Sequence, residues 1–290
     1  MAETLIDSAC PAVCYADTAS YTTARIVAHA RVADRTYRIR LDCPEVAGRA
    51  LPGQFAMIRI PHRSDPLLAR PLAVYDTHDG GRHADFLYLV HGKFTTALKD
   101  LPVGEELVVW GPLGNGFDPP AVDHLVLVAG GIGQTAVLAL GRERLGNACY
   151  GSPVREAPRA KRVTLCWGAR HQGMFGDVDD FRRAGIDVHL ATLDGSAGRQ
   201  GTVVDLLGDV ARGDESMRIA CCGPEPMMEA VTNWARGHGV PCDVSLEAPM
   251  ACGIGICFTC VAKVRDASGG WDYRRTCIEG PVFDGTTIEW

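Results

Sequence analysis

The chain has 290 residues, 47% of them hydrophobic, and a formal net charge of −6. That length suits two domains, or two and a small appendage, with enough apolar material for real cores. The acidic balance excludes the basic face that nucleic-acid binding requires, and no apolar run approaches the roughly 20 residues that span a bilayer. Residues 1–20 contain acidic side chains and no apolar stretch of signal-peptide type, so the chain reads as cytoplasmic, with a loose N-terminal extension.

From 21 to 120 the pattern is all-β. Alternating runs at Arg35–Leu41, Phe55–Ile60, Asp85–Val90 and Glu106–Trp110 are separated by Pro, Gly and Asp clusters. Short strands at this spacing predict a small antiparallel barrel, with a helical turn at Thr96–Lys99. Near Ala121 the character changes. His124–Ala129 is continuously apolar, as a strand buried on both faces of a parallel sheet must be. A Gly turn and a helix over Thr135–Arg144 follow. Further strands are expected at Val163–Trp167, Asp187–Leu193 and Met217–Cys221, with a helix at Pro226–Arg236. Residues 121–245 therefore read as a Rossmann-like α/β domain, with 147–161 as an exposed insertion. A Cys- and Gly-rich unit occupies 246–290. The fold class is α+β and multidomain.

Twelve cysteines are present. A reducing compartment disfavours structural disulfides, so their clustering is what matters. Cys43, Cys149, Cys166 and Cys242 are scattered and read as small buried or partly buried thiols. Cys10 and Cys14, in the polar tail, receive no role. Cys252, Cys257, Cys260 and Cys277 follow the spacing C-x4-C-x2-C-x16-C. The first three match the plant-type [2Fe–2S] pattern, with a fourth ligand arriving later. Structural zinc is the rival, but it ordinarily has a C-x2-C-type pair on each side.

Other stretches carry ligand-binding potential. Arg70-Pro71-Leu72-Ala73 leads into a strand, and an arginine fork suits phosphate. Gly92-Lys93-Phe94-Thr95 opens a short helix whose N–H groups suit a pyrophosphate. Gly111–Phe117 is a Gly-dense crossover between domains. Gly130-Gly131-Ile132-Gly133 and Cys222-Gly223-Pro224 each end a strand and begin a helix, where α/β sheets bind ligands. Each also has a plain reading as a turn or helix start.

Taken in order, these motifs resemble the electron transfer subunits of dihydroorotate dehydrogenase B, a branch of the ferredoxin–NADP reductase-like flavoproteins. The resemblance spans about 22–290 and is most specific at Gly111–Phe117, Asp194-Gly-Ser196 with Gly201–Leu207, Cys222–Met228, and Ser245-Leu-Glu247 followed by Met250–Gly255. It implies an FAD held by Arg70, Pro71, Leu72 and Ala73, by Leu87, Tyr88 and Leu89, and by Phe94 and Thr95. It also implies NAD(H) at Gly130, Gly131, Gly133, Cys222, Gly223 and Pro224, with a [2Fe–2S] cluster on the four cysteines. The partner it implies is an FMN-containing catalytic subunit, in a heterotetramer of two of each, serving pyrimidine (UMP) biosynthesis. Two positions depart from the family: Ala73 stands where a Ser or Thr hydroxyl meets the flavin, and Phe94 stands where Gly is favoured. NADH is preferred to NADPH on the resemblance alone, with Arg170 near the adenosine ribose. The alternatives are a diaphorase-type subunit serving sulfide, ferredoxin or hydrogenase chemistry, and a zinc-stabilised non-redox adaptor.

Overall fold

The computed structural model describes residues 15–211, 215–266 and 268–290; Cys10 and Cys14 lie outside the described residues. Six strands close an antiparallel barrel in the order β1-β2-β5-β4-β3-β6. They are β1 (Ser20–Ala33), β2 (Thr36–Asp42), β3 (Phe55–Arg59), β4 (Arg70–His78), β5 (His83–Leu89) and β6 (Glu106–Leu113), with α1 (Pro44–Ala47) and α2 (Gly92–Leu98) between them. Closure removes the free edges that an open antiparallel sheet would expose. Alternation along β4 sets its two faces. Leu72 and Val74 pack into the barrel interior, while Ala73 and Tyr75 face the second domain.

The second domain is a sheet in the order β10-β9-β8-β7-β11-β12-β15. Its elements are β7 (His124–Gly130), α3 (Leu138–Arg144), β8 (Arg162–Ala169), α4 (Val178–Arg183), β9 (Asp187–Thr192), β10 (Arg199–Gln200), α5 (Val203–Val210), β11 (Met217–Cys222), α6 (Glu225–Gly237) and β12 (Cys242–Ser245). All seven β7 residues are buried, consistent with a central parallel strand. The capping box of Thr202 and Asp205 starts α5, and its Val203, Leu206, Leu207 and Val210 are buried. The expected helix over Thr135–Arg144 begins later. Gly131–Ala136 is a 3-10 turn and α3 follows at Leu138, because the tighter turn seats Gly133 directly against the end of β11.

The C-terminal unit comprises a hairpin, β13 (Val261–Arg265) and β14 (Trp271–Arg275), and then β15 (Val282–Asp284). This unit is small, as expected, but it is tied in at both ends. β15 pairs antiparallel with β12, Val244 opposite Phe283, as the edge of the nucleotide-type sheet. Its cysteines pack on the barrel: Phe55, Met57, Leu113, Met250, Cys260 and Cys277 share one apolar cluster.

Ion pairs fix the barrel against the α/β domain. Arg38 pairs with Asp177 and Asp180, and the Tyr75 hydroxyl donates to Asp180 at 3.1 Å. Arg142 pairs with Asp76, whose other carboxylate oxygen accepts from the Tyr150 hydroxyl at 2.7 Å. Residues 147–161 are therefore more than an exposed insertion. Tyr150 is 4% exposed, and Arg155 reaches the Phe117 carbonyl at 2.9 Å. The Tyr150 hydrogen bond to Asp76 and the ion pair of Arg155 with buried Glu143 pull in a segment whose composition alone reads as surface loop. Cys43, Cys166 and Cys242 are buried as expected; Cys149 is exposed.

At the opposite end of the sheet His124 is 1% exposed, with Nε2 2.9 Å from Thr164 Oγ1. Burial, and then the nearby Arg162, push its imidazole down to about 4. A base depressed below its unfolded value of about 6.5 contributes full stability above that pH and loses it as the pH falls towards 4. Denaturant unfolding should show about 2 kcal/mol lost through this group between pH 7 and pH 5, an acid-sensitive component that His124→Gln should lack.

Candidate functional site

One cavity of about 830 Å3 runs between the barrel and the α/β domain. This is the range of cofactor pockets. Its barrel wall contains the residues singled out from the sequence: Arg70, Pro71, Leu72 and Ala73 of β4, and Leu87, Tyr88 and Leu89 of β5. Phe94 and Thr95 of α2 complete that wall. The opposite wall comes from Ile132, Thr135, Cys222 and the stretch from Ser245 to Ala251.

Each barrel residue has a local reason for its place. Arg70 Nη1 donates to the Leu68 and Ala69 carbonyls at 3.1 and 2.9 Å, which holds the guanidinium at the cavity and leaves the rest of its donor fork for an anion. Phe94 is 2% exposed and packs in the barrel core, its ring centroid 6.0 Å from the Arg70 guanidinium carbon. Its bulk therefore goes inward, beneath the phosphate-type loop. The Thr95 hydroxyl accepts from His91 N at 2.7 Å and donates to His91 O at 2.8 Å, so it closes the turn into α2. Tyr88 is also turned inward, its hydroxyl 2.7 Å from His29 Nε2. Ala73 brings no hydroxyl to its wall. The polar groups facing it come from the other domain.

The two Gly-rich turns meet at the carboxyl ends of β7 and β11, where the strand order reverses, the usual ligand crevice of such a sheet. Here the glycines serve close backbone approach. A Cβ on Gly133 would lie 2.2 Å from the Cys222 carbonyl oxygen. On Gly130 it would lie 2.7 Å from Pro224 Cδ, and on Gly223 2.9 Å from Gly130 N. Gly131, with φ +54°, is the open member of the set, with nothing nearer than 4.0 Å. Of the six expected nicotinamide residues only Cys222 lines the large cavity. Burial pushes the Cys222 thiol up, beside Glu247, while a hydrogen bond with Ser245 works the other way.

The cysteines stand at the far end of the same cavity, where Ala251 and Thr259 complete the lining. The Trp110 indole donates to the Cys252 carbonyl at 2.9 Å, pinning the loop to β6. Gly253, with φ +74°, sits so close that a Cβ would lie 2.5 Å from Met57 Cγ of β3. Among the cluster-type cysteines, Cys257 Sγ lies 3.2 Å from Thr259 Oγ1, and Cys260 and Cys277 are buried. Hydrogen bonds from Thr259, and then from Cys252, bring the Cys257 thiol down to about 6. The Cys277 hydrogen bond brings Cys260 down to about 6, and Cys277, as its donor, is pushed up. Thiolate is the ligand form. Among the described residues no three His, Cys, Asp or Glu side chains gather round one point to hold a single ion. The argument for [2Fe–2S] over zinc rests on the spacing, since structural zinc ordinarily has a C-x2-C-type pair on each side.

Comparison with known proteins decides the family. A protein of Desulforamulus reducens named dihydroorotate dehydrogenase B (NAD(+)), electron transfer subunit, is 34% identical over 268 residues, covering 92% of this chain and 97% of that protein. The chain belongs to the family of dihydroorotate dehydrogenase B electron transfer subunits. Residues 247–289 match the iron–sulfur cluster binding domain of dihydroorotate dehydrogenase B. A homologue of the same subunit from Aquifex aeolicus is 32% identical, covering 90% of this chain and 95% of that one. The solved structure of an NADH-dependent reduced ferredoxin–NADP oxidoreductase superposes with a TM-score of 0.77 at 30% identity, over 92% of this chain and 90% of that one.

Motif reading did not single out Trp110, Asn115 or Glu247 as functional residues. Asn115 clamps the crossover: its Nδ2 donates to Val282 O at 2.8 Å, its Oδ1 accepts from Val282 N at 3.1 Å, and its own N–H donates to Gly280 O at 2.7 Å. The density of glycine around it was the available signal; the target strand was not. Because backbone cannot yield to a new methyl, Gly133→Ala should cost about 3 kcal/mol in denaturant unfolding and weaken nicotinamide binding measured by fluorescence titration.

Proposed function

We propose that this chain links a one-electron iron–sulfur side to a two-electron nicotinamide side, taking electrons from the FMN of a dihydroorotate dehydrogenase catalytic subunit and delivering them to NAD+. The observation that carries the reading is the single cavity whose walls hold the flavin-type residues and whose end is the cysteine loop. When bound, a [2Fe–2S] cluster supplies one-electron transfer, FAD exchanges one or two electrons, and nicotinamide exchanges a hydride.

The chain's own residues position these groups. Cys252, Cys257, Cys260 and Cys277 would hold the cluster; Arg70 and the backbone N–H groups at the start of α2 would meet the FAD phosphates. Leu72, Ala73 and Leu87–Leu89 would line the flavin ring. The outer side of these two packed turns, where Gly131 is open, would receive NAD(H) at the carboxyl ends of β7 and β11, and apolar walls would exclude water from hydride transfer. We read 21–120 as the FAD domain, 121–245 as the nicotinamide domain and 246–290 as the cluster domain, behind an extension at 1–20.

The cluster loop is also where a partner would dock. Ile256 and Phe258, on either side of Cys257, are 73% and 62% exposed, and exposed apolar groups of this size beside a redox centre favour a protein partner. An assembly of two subunits of each kind, in the cytoplasm, fits the family; no helix among the described residues is long and apolar enough to cross a membrane. The 30% identity to the ferredoxin–NADP oxidoreductase favours a second reading, a diaphorase-type subunit with another donor. The partner that co-purifies decides between them.

Cys257→Ser should abolish the visible and EPR signals of the cluster while NADH-driven bleaching of the flavin survives; an intact cluster in that variant overturns the ligand assignment. Ile256→Asp should retain flavin and iron content but lose the catalytic subunit at least tenfold in affinity, read by analytical ultracentrifugation.

A further inference from the structure

Glu247 is the acidic side chain of the large cavity. It follows β12 by two residues and lies on the wall shared with Cys222 and Ser245. The residue is exposed to water while it lines the cavity. It has no hydrogen bond or ion pair among the described residues. Desolvation is the one influence on its carboxyl, and it raises it. An unpaired carboxyl with a raised proton affinity, reached by water and facing a cofactor cavity, is suited to carrying protons.

The reaction requires such a group, granting the reading of this cavity as the flavin–nicotinamide site. Electrons that arrive singly through an iron–sulfur cluster bring no proton. A hydride that leaves for NAD+ takes two electrons and one proton, so the balance is 2 e⁻ + H⁺ + NAD⁺ → NADH. One proton must therefore enter the cavity in each turnover, and one must leave when the direction is reversed. The other titratable or charged groups facing the cavity are Arg70 on β4, Tyr88 on β5, His91 ahead of α2 and Cys222 at the end of β11; the Tyr88 hydroxyl is turned away to His29 and burial raises it. The Arg70 guanidinium is committed as a donor to the Leu68 and Ala69 carbonyls. Burial keeps the Cys222 thiol protonated. His91 stands at the α2 end of the barrel wall, where the phosphates are read to lie. Glu247 shares its wall with Cys222, at the nicotinamide crevice.

We propose that Glu247 carries this proton. Its carboxyl O–H bond breaks as the proton passes to the flavin ring nitrogen that later yields the hydride, and the carboxylate is reprotonated by water at the cavity mouth. The step belongs to electron exchange between cluster and flavin; hydride exchange with nicotinamide does not require it.

The test is anaerobic stopped-flow mixing of NADH with the holo-complex in H2O and D2O, comparing wild type, Glu247→Gln and Glu247→Asp. Flavin bleaching reports the hydride step, and subsequent loss of cluster absorbance reports the proton-linked step. In Glu247→Gln bleaching should slow no more than threefold, while the cluster phase slows at least tenfold and loses its solvent isotope effect; Glu247→Asp should restore part of both. An unchanged cluster phase overturns the proposal. So does an equal slowing of both phases with a fall in flavin content, which would mark a structural role. Failure of NADH to bleach the wild-type flavin instead overturns the underlying reading of the cavity.

Discussion

The path of the chain after β12 is the constraint on which the site depends. Ser245 ends a strand of the α/β sheet, Cys252 is pinned to the barrel by Trp110, and by Val282 the chain is back beside β12. This excursion builds three things at once: the second wall of the cavity, the cysteine loop at its end, and the edge strand that closes the sheet. The tight seating of Gly253 on Met57 and the Asn115 clamp on Val282 hold its two ends. A cluster domain tethered only at one end would sample positions relative to the flavin cavity; two anchors limit that freedom, which matters because electron transfer requires a fixed separation.

Electrostatics serves the same end. The pairs of Arg38 with Asp177 and Asp180, and of Arg142 with Asp76, join barrel to α/β domain around two tyrosine hydroxyls. Ion pairs of this kind contribute little net stability once desolvation is counted, but their directionality specifies one relative orientation. That orientation is what makes a cavity between the domains. Ala73 illustrates the consequence. It removes a hydroxyl from the barrel wall, yet the facing wall supplies Thr135, Cys222, Ser245 and Glu247. The polarity of the site is redistributed across the domain boundary, and chemistry that needs a proton must look to the second domain.

Much of this was legible from residues alone. The C-x4-C-x2-C-x16-C spacing pointed to an iron–sulfur domain, which the family match over residues 247–289 bears out, because soft thiolates on a short, Gly-bearing loop have few other uses. Period-two alternation marked the barrel, and the unbroken apolar run at His124–Ala129 marked the central strand, because burial on one face or two writes itself directly into the pattern. Ordered motifs from Arg70 to Thr95 identified a cavity wall. By contrast, the 3-10 turn at Gly131–Ala136 and the true work of Gly130, Gly133 and Gly223 depended on how closely two strand ends approach. The burial of Tyr150 depended on Asp76, 74 residues away in the chain.

What the sequence by itself determined is the set of local units and the ligand chemistry each can offer, since both depend on residues near one another in the chain. Only the tertiary structure decided that residues from Arg70 to Thr95, Cys222 and the stretch from Ser245 to Ala251 line one cavity, and that Glu247 is its acidic side chain. Those facts rest on contacts between Trp110 and Cys252, Asn115 and Val282, and Arg38 and Asp180. Each spans more than a hundred residues, and neither periodicity nor spacing carries information over that range.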